Sequence, residues 1–428
     1  MVRSDARMTR AAVATNGKQA AARPLGRPRA RPLVDSMLRL IWREREISRA
    51  EIARRTELAR STVSEIVVEL LRTGLVAEMG TKESSGGRRP IVLQFQDEAC
   101  GILGVDMGGA HVAVALTDLR GNVLVWEERR HPVRADPDGA RALILELCDA
   151  CIAKWRRSPR RLVGIGVAVP CPVDPRHPER LSELVLPEWH GRHGFEVLHE
   201  RYGLPVLVDN DANLGCLAEH WWGAGRGVDH FTYIKVATGV GSGHVIDGNL
   251  YRGATGVAGE IGHLAIDPHG EPCICGLRGC LGTLVGQAAL VARANTLLGE
   301  YPQSVLASIP PTVTAIEDAA LAGDPMALYI VREAAEYLGI AVAGLLNLMN
   351  PALVVLGGDL APLGELLLEP LRETVRRRTL VSSIEAAEVR TSELGPQAVA
   401  IGAATLVLKS ALADSRLFPA AIRRKEAS

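Results

Sequence analysis

The stretch Gly259-Glu260-Ile261-Gly262-His263, followed ten residues later by Cys273-Ile274-Cys275-Gly276-Leu277-Arg278-Gly279-Cys280, decides how the rest of the chain is read. Three thiolates and one imidazole are a donor set for tetrahedral zinc. Gly276 and Gly279 let so short a loop bring them together. A shell closed by His263, Cys273, Cys275 and Cys280 leaves no open coordination position, so the expected metal is structural zinc, not a catalytic ion. The chain has eight cysteines in 428 residues, too few for a secreted disulfide framework. Cys148 and Cys151 are spaced C-x-x-C but sit in the helical pattern Leu143–Trp155, where face packing is expected instead of redox chemistry.

Outward from this loop, short β-rich runs alternate with helical stretches. The strands read as Gly101–Val105, Val112–Leu116, Val163–Val169, Val206–Val208, Tyr233–Val236 and Leu353–Leu356, and 326–348 reads as a long helix. This is the grammar of an α/β domain, here long enough for two lobes. No stretch approaches roughly 18 uninterrupted apolar residues, and the start lacks a signal-peptide core, so a cytoplasmic protein with no membrane partner is expected.

The N-terminal quarter has a different texture. The formal charge is zero, yet residues 1–97 carry 19 Lys/Arg against 11 Asp/Glu, and the remainder balances this with −8. The basic end is where a polyanion would bind. Residues 1–31, rich in Ala, Arg and Pro, read as a disordered basic arm whose Gly26-Arg27-Pro28 core also matches a minor-groove hook. Leu33, Val34, Met37, Leu38, Leu40 and Ile41 then recur at helical spacing. Ser48-Arg49-Ala50-Glu51 is a capping box, with Ser48 accepting from the first turn and Glu51 reaching back. Ser61-Thr62-Val63-Ser64 opens a further helix, apolar at Val63, Ile66, Val67, Leu70 and Leu71, that Gly74 is placed to end. The order is that of a helix-turn-helix, with Arg60, Ser61, Thr62 and Ser64 as candidates for base edges. Leu75–Thr81 and Pro90–Phe95 read as strands around a loop carrying Arg88 and Arg89. The loop is a wing able to set both guanidiniums against DNA phosphate or the minor groove.

Gly-Glu-Ile-Gly-His followed by Cys-x-Cys-Gly-x-x-Gly-Cys resembles the signature of the ROK family (repressors, open reading frames and kinases), and the similarity runs from about residue 33 to 410. The resemblance implies an α/β fold: an N-terminal winged helix-turn-helix (32–97), then a two-lobed actin/hexokinase-like ROK sensor domain (98–412) with its zinc loop, and a C-terminal tail (413–428). It also implies a homodimer or homotetramer. Matched position by position, Asn210 and Asp211 correspond to the family's sugar-binding Asn and catalytic Asp, and Glu260 and His263 to residues that hold sugar hydroxyls. In a kinase that Asp would take the proton of the attacking hydroxyl. Asp106, Gly108 and Gly109 resemble a first phosphate loop, Thr238, Gly239 and Gly241 a second, and Gly357 and Gly358 the turn near adenosine, which would serve ATP and Mg2+ if kinase activity is retained. Two departures count against catalysis. Ala110 stands where a Thr is usual, and Gly282 stands where Cys-Leu-Glu would supply a second carboxylate to the sugar. Cys171 also replaces a Gly of Pro-Gly-Pro-Val-Asp. The expected function is a DNA-binding transcriptional regulator of carbohydrate genes, most simply a repressor, responding to a sugar or sugar phosphate. The alternative is an ATP-dependent sugar kinase with an appended DNA-binding domain.

Overall fold

The computed structural model describes residues 31–81, 91–155, 161–379 and 387–420. The basic arm up to residue 30, the wing tip with Arg88 and Arg89, and the last eight residues lie outside the described residues.

The head is α1 (Pro32–Glu44), β1 (Glu46–Ser48), α2 (Arg49–Thr56), α3 (Arg60–Thr73), β2 (Val76–Thr81) and β3 (Ile91–Phe95). β2 and β3 pair antiparallel as the sequence predicts. β1, too short for its alternation to show, adds to the other edge of β3. Ser48 caps α2 by accepting from the Glu51 N–H at 3.2 Å. Glu51 does not reach back, because its carboxylate is taken by Arg54 at 2.8 Å and Arg55 at 2.6 Å. Charge-assisted bonds one turn along the helix outcompete a neutral backbone donor. Val63, Ile66, Val67 and Leu70 of α3 are buried, and Gly74 ends the helix at φ +71°, in the left-handed region.

Two five-stranded sheets follow. The first holds β4 (Gly101–Met107), β5 (His111–Thr117), β6 (Val123–Arg130), β7 (Leu162–Val169) and β8 (Val206–Asn210), in the order β6-β5-β4-β7-β8. Its outer face is covered by α4 (Pro137–Lys154), whose buried Cys148 and Cys151 pack as expected, and α5 (Glu196–Tyr202) lies just before β8. Burial pushes the Cys151 thiol up to about 12, so it stays protonated. The second sheet repeats the pattern: β9 (Phe231–Val236), β10 (Val240–Ile246), β11 (Asn249–Tyr251), β12 (Leu353–Gly358) and β13 (Glu388–Thr391), in the order β11-β10-β9-β12-β13. In each sheet the first strand pairs antiparallel with a hairpin partner and parallel with a strand reached by a long crossover. α7 (Gly282–Val285), α8 (Gln287–Leu297), α9 (Val313–Leu321), α10 (Pro325–Met349) and α11 (Glu365–Arg378) build the core on the outer face of the second sheet.

Two helices fill the space between the sheets. α6 (Asp211–Trp222) packs on β9 and β10, and α12 (Ala398–Ala413) packs on β4 and β7. Their approach is so close that a Cβ on Gly166 of β7 would stand 1.9 Å from the Ala403 carbonyl, and one on Gly402 would stand 1.8 Å from that of Leu214. Gly395–Ala413 is long and apolar enough to cross a membrane by length and composition, with mean hydropathy 1.3, but 67% of it is buried here as the central core helix. Its far end reaches the head. Leu38, Ile41 and Leu93 share one core with Val407, Leu408, Leu412 and Phe418, and the Ser415 N–H donates to Asp35 at 3.0 Å. The head and the two-sheet body are therefore joined by packed apolar surface as well as by the chain.

Candidate functional site

The cleft between the sheets opens where β8 gives way to α6. A cavity of about 250 Å3 is lined there by Asp211, Lys235, Thr238, Glu260, His263 and Gly282, among others. A larger cavity of about 630 Å3, beyond β8 around Phe195 and Arg252, contains none of the expected site residues.

Asp211 stands at the first turn of α6 because Asn210 caps that helix, its side-chain oxygen accepting from the Asn213 N–H at 3.0 Å. The Asn210 amide donates to the Cys171 carbonyl at 3.2 Å and also to Asp211. Asn210 thus stands behind the cavity wall, tying the Cys171 loop to α6. Asp211 Oδ1 accepts from the Ala212 N–H at 2.7 Å, and Oδ2 accepts from Lys235 Nζ at 2.7 Å. Both carboxylate oxygens are engaged.

Glu260 precedes and His263 ends a short 3-10 turn, Ile261–His263. His263 Nε2 faces Glu260 Oε2 at 3.9 Å, while Nδ1 lies 3.4 Å from Cys273 Sγ. Burial, and after it the charge on Asp211, push the Glu260 carboxyl up to about 7. Gly282, at the start of α7, leaves the opposite wall bare. A Cβ there would meet only the Gly262 carbonyl oxygen, at 3.3 Å, so a larger side chain needs little room made for it.

The donor atoms of His263, Cys273, Cys275 and Cys280 all lie within 4.8 Å of one another, and Cys275 Sγ is 3.6 Å from Cys280 Sγ. Zinc–sulfur bonds of about 2.3 Å at tetrahedral angles put sulfurs roughly 3.8 Å apart, so these four residues fit a metal ion with little rearrangement. The imidazole then has one nitrogen on the metal side and the other toward the cavity.

The glycine loops converge on the same cleft. Gly109 follows β4, and a Cβ there would come within 2.8 Å of Thr238 Oγ1, so the first and second loops touch across the lobes. Gly239 and Gly241 line the cavity, while Gly358 (φ +84°) packs on the Val236 carbonyl at the end of β9. Asp106 is buried, with Oδ2 3.4 Å from His111 Nε2 and Oδ1 without a hydrogen-bond partner. Burial opposes its ionisation, but the Lys235 charge and the His111 bond outweigh burial and hold its pKa below the usual range. In the head, Arg60 and Ser61 are exposed at the N-terminal end of α3, and Thr62 and Ser64 are half-buried beside them.

Sequence reading missed Lys235. Its signal was a single charge in Phe231-Thr232-Tyr233-Ile234-Lys235-Val236, an otherwise uncharged strand whose residues are all buried.

Residues 102–410 match the ROK family. The chain belongs to the ROK family. Residues 36–79 match the IclR helix-turn-helix domain, so a DNA-binding module precedes the ROK domain. Among ROK-family relatives, the chain is 32% identical over 382 residues to the xylose repressor of Caldicellulosiruptor bescii, covering 88% of this chain and 95% of that one. It is 31% identical over 380 residues to the DNA-binding transcriptional dual regulator NagC of Escherichia coli, covering 88% and 92%. A ROK family transcriptional regulator homologous to E. coli MLC superposes with a TM-score of 0.73 at 28% identity, over 90% of this chain and 97% of that one. A ROK family glucokinase from Streptomyces griseus, in complex with glucose and AMPPNP, superposes with a TM-score of 0.64 at 31% identity, over 72% and 98%. The glucokinase match spans a smaller share of this chain than the regulator match does.

Proposed function

We propose that this ROK-family chain is a DNA-binding regulator of carbohydrate genes, acting as a repressor, whose head (32–97) changes its grip on operator DNA when a sugar or sugar phosphate enters the cleft of the 98–412 sensor. The observation that carries this reading is α6. It begins at Asp211 in the cleft and ends at Trp221 and Trp222, which pack against Trp42 of α1 with ring centroids 5.5 and 6.2 Å away. A ligand that binds two arrangements of the cleft unequally shifts the population of both, and with it the head. Asp211, Glu260 and His263 are the hydroxyl-binding groups, with Asn210 holding Asp211 in place. A homodimer or homotetramer sets two heads at half-sites one or more DNA turns apart, and the protein works in the cytoplasm.

Fluorescence anisotropy on the DNA upstream of its own gene, with D-xylose, D-glucose and N-acetyl-D-glucosamine in turn, tests the reading. Binding that no sugar alters counts against it. Within the head, Thr62→Ala is expected to change preference at one or two base pairs by about 1 kcal/mol. Arg88→Ala with Arg89→Ala is expected to weaken specific and random DNA alike and to lower the slope of log affinity against log salt by roughly 2. Equal losses on both DNAs for both variants would remove the division of labour.

The metal in this reading is structural zinc, about one per chain, held by His263, Cys273, Cys275 and Cys280. Cys275→Ser is expected to lose most of the bound metal and to lower the Tm of the sensor by several degrees, because binding energy at such a site is folding energy. Metal analysis and thermal unfolding read the two effects, and a variant with both unchanged would exclude the site.

A second reading, an ATP-dependent sugar kinase, is favoured by the convergence of the glycine loops on Asp211. ADP release on adding sugar and MgATP to the full chain would establish it.

A further inference from the structure

The ammonium of Lys235 lies where the two lobes meet. β9 belongs to the second sheet, and Lys235 projects from it on the same face as Phe231 and Tyr233, toward α6. It is nine-tenths buried, and its Nζ bonds to Asp211 Oδ2 at 2.7 Å. Asp106 of the first sheet, at the end of β4 whose glycine loop touches Thr238, is near enough that the charges on Lys235 and Asp106 each stabilise the other. Two buried carboxylates beside glycine loops are what a divalent cation and a phosphoryl group require. In this chain the cation beside them is a side chain.

We propose that Lys235 is the resident counter-ion of the cleft, occupying the charge position that a metal–nucleotide complex needs, so that the site takes an uncharged sugar and refuses MgATP. The inference rests on the sugar-binding reading of the cleft and narrows it from sugar or sugar phosphate to sugar. Three features carry it. A divalent cation approaching Asp106 or Asp211 would meet a like charge in a buried setting, where repulsion is weakly screened. The two Asp211 oxygens already accept from the Ala212 N–H, the Asn210 amide and the Lys235 ammonium, which leaves room to hold a sugar hydroxyl but sets a cation on the oxygen that phosphoryl transfer would need as proton acceptor. Around the cleft the carboxyls of Asp106, Asp211 and Glu260 face Lys235, Arg134 and the His111 imidazole, so no net positive charge greets a phosphate ester, whereas a neutral polyol needs none. Gly282 and Ala110 remove contacts, whereas Lys235 adds an obstacle.

Isothermal titration of the full-length native protein with MgADP, beside Lys235→Arg and Lys235→Thr, tests this. Native protein and Lys235→Arg are expected to show no binding at millimolar nucleotide. Lys235→Thr, which suits a strand and frees both carboxylates, is expected to gain Mg2+-dependent binding at least tenfold tighter. Native protein binding MgADP as tightly as Lys235→Thr, or tighter, would overturn the proposal and make Lys235 a phosphate-binding lysine. Should Lys235→Thr fail to fold, native protein titrated with D-glucose and with D-glucose 6-phosphate decides. At least tenfold preference for the free sugar supports the counter-ion, and equal or tighter binding of the ester overturns it. If no sugar binds while Lys235→Thr still gains MgADP, the sugar reading fails and the counter-ion stands.

Discussion

Asp211→Asn is expected to destabilise the sensor by about 3 kcal/mol, and Asp211→Asn with Lys235→Met to recover most of that loss. Removing one partner of a buried ion pair leaves the other charge desolvated, which costs about 3–5 kcal/mol, whereas replacing both partners by neutral groups of similar volume is often neutral. The lower end applies because Asp106 remains to face the ammonium. The pair sits in a setting that warrants these numbers, with side-chain exposures of 11% for Lys235 and 15% for Asp211. Urea unfolding of the native protein, both single variants and the double variant closes the cycle. An Asp211→Asn midpoint indistinguishable from native would mean that the ion pair contributes nothing, and a double variant no better than the worse single one would mean that the loss is not electrostatic. Because the bond runs from β9 to the first turn of α6, the same series reports what holds the start of that helix on the second sheet.

Much of this architecture can be read from the residues alone. Strands such as Leu162–Val169 are buried at every position and appear as continuous apolar runs, and α3 is framed by a polar start and a left-handed glycine. The Cys/His cluster that could hold a metal is legible because its four donors fall within 18 residues and their chemistry does not depend on the fold. Contacts between segments far apart in sequence are not legible. Lys235 meets Asp211 across 24 residues and two elements, so only the oddity of a charge in a buried strand marks it. The Glu51 half of the capping box fails because Arg54 and Arg55, each an unremarkable surface residue, are nearer and charged. Asn210 reads as a sugar ligand, and its second part as the cap of α6 follows only from its place before a helix. The three tryptophans, separated by some 180 residues between Trp42 and Trp222, carry no local pattern at all.

Trp42→Ala is expected to leave operator binding in the absence of sugar within a few-fold of native while collapsing the difference between sugar-free and sugar-bound affinity. Trp42 is the point where the head touches α6. Its ring packs at 46° to Trp221 and at 79° to Trp222, its indole N–H donates to the Leu119 carbonyl at 3.1 Å, and Arg120 stacks over it at 4.6 Å. Trp222 is held in turn by a 2.8 Å bond to Thr405 of α12. Truncating a fully buried Trp costs about 3–5 kcal/mol, and Trp42, half-buried, is expected to cost roughly 2–3, of which aromatic pairing and the guanidinium contact are a substantial part. That loss falls on the junction and not on the reading helix, because Val63, Ile66, Val67 and Leu70 anchor α3 within the head. α6 has 12 residues and spans about 18 Å, a rigid element that moves at both ends when it moves at one. A second connection exists through α12, whose Leu412 and the following Phe418 share the core of α1. Anisotropy with and without sugar on Trp42→Ala and Leu412→Ala separates the two. If Trp42→Ala keeps the full sugar response and Leu412→Ala loses it, the signal travels through α12 and the tryptophan cluster is only an anchor. If Trp42→Ala loses the response while its DNA affinity stays, α6 carries the ligand's differential binding energy from Asp211 to the head.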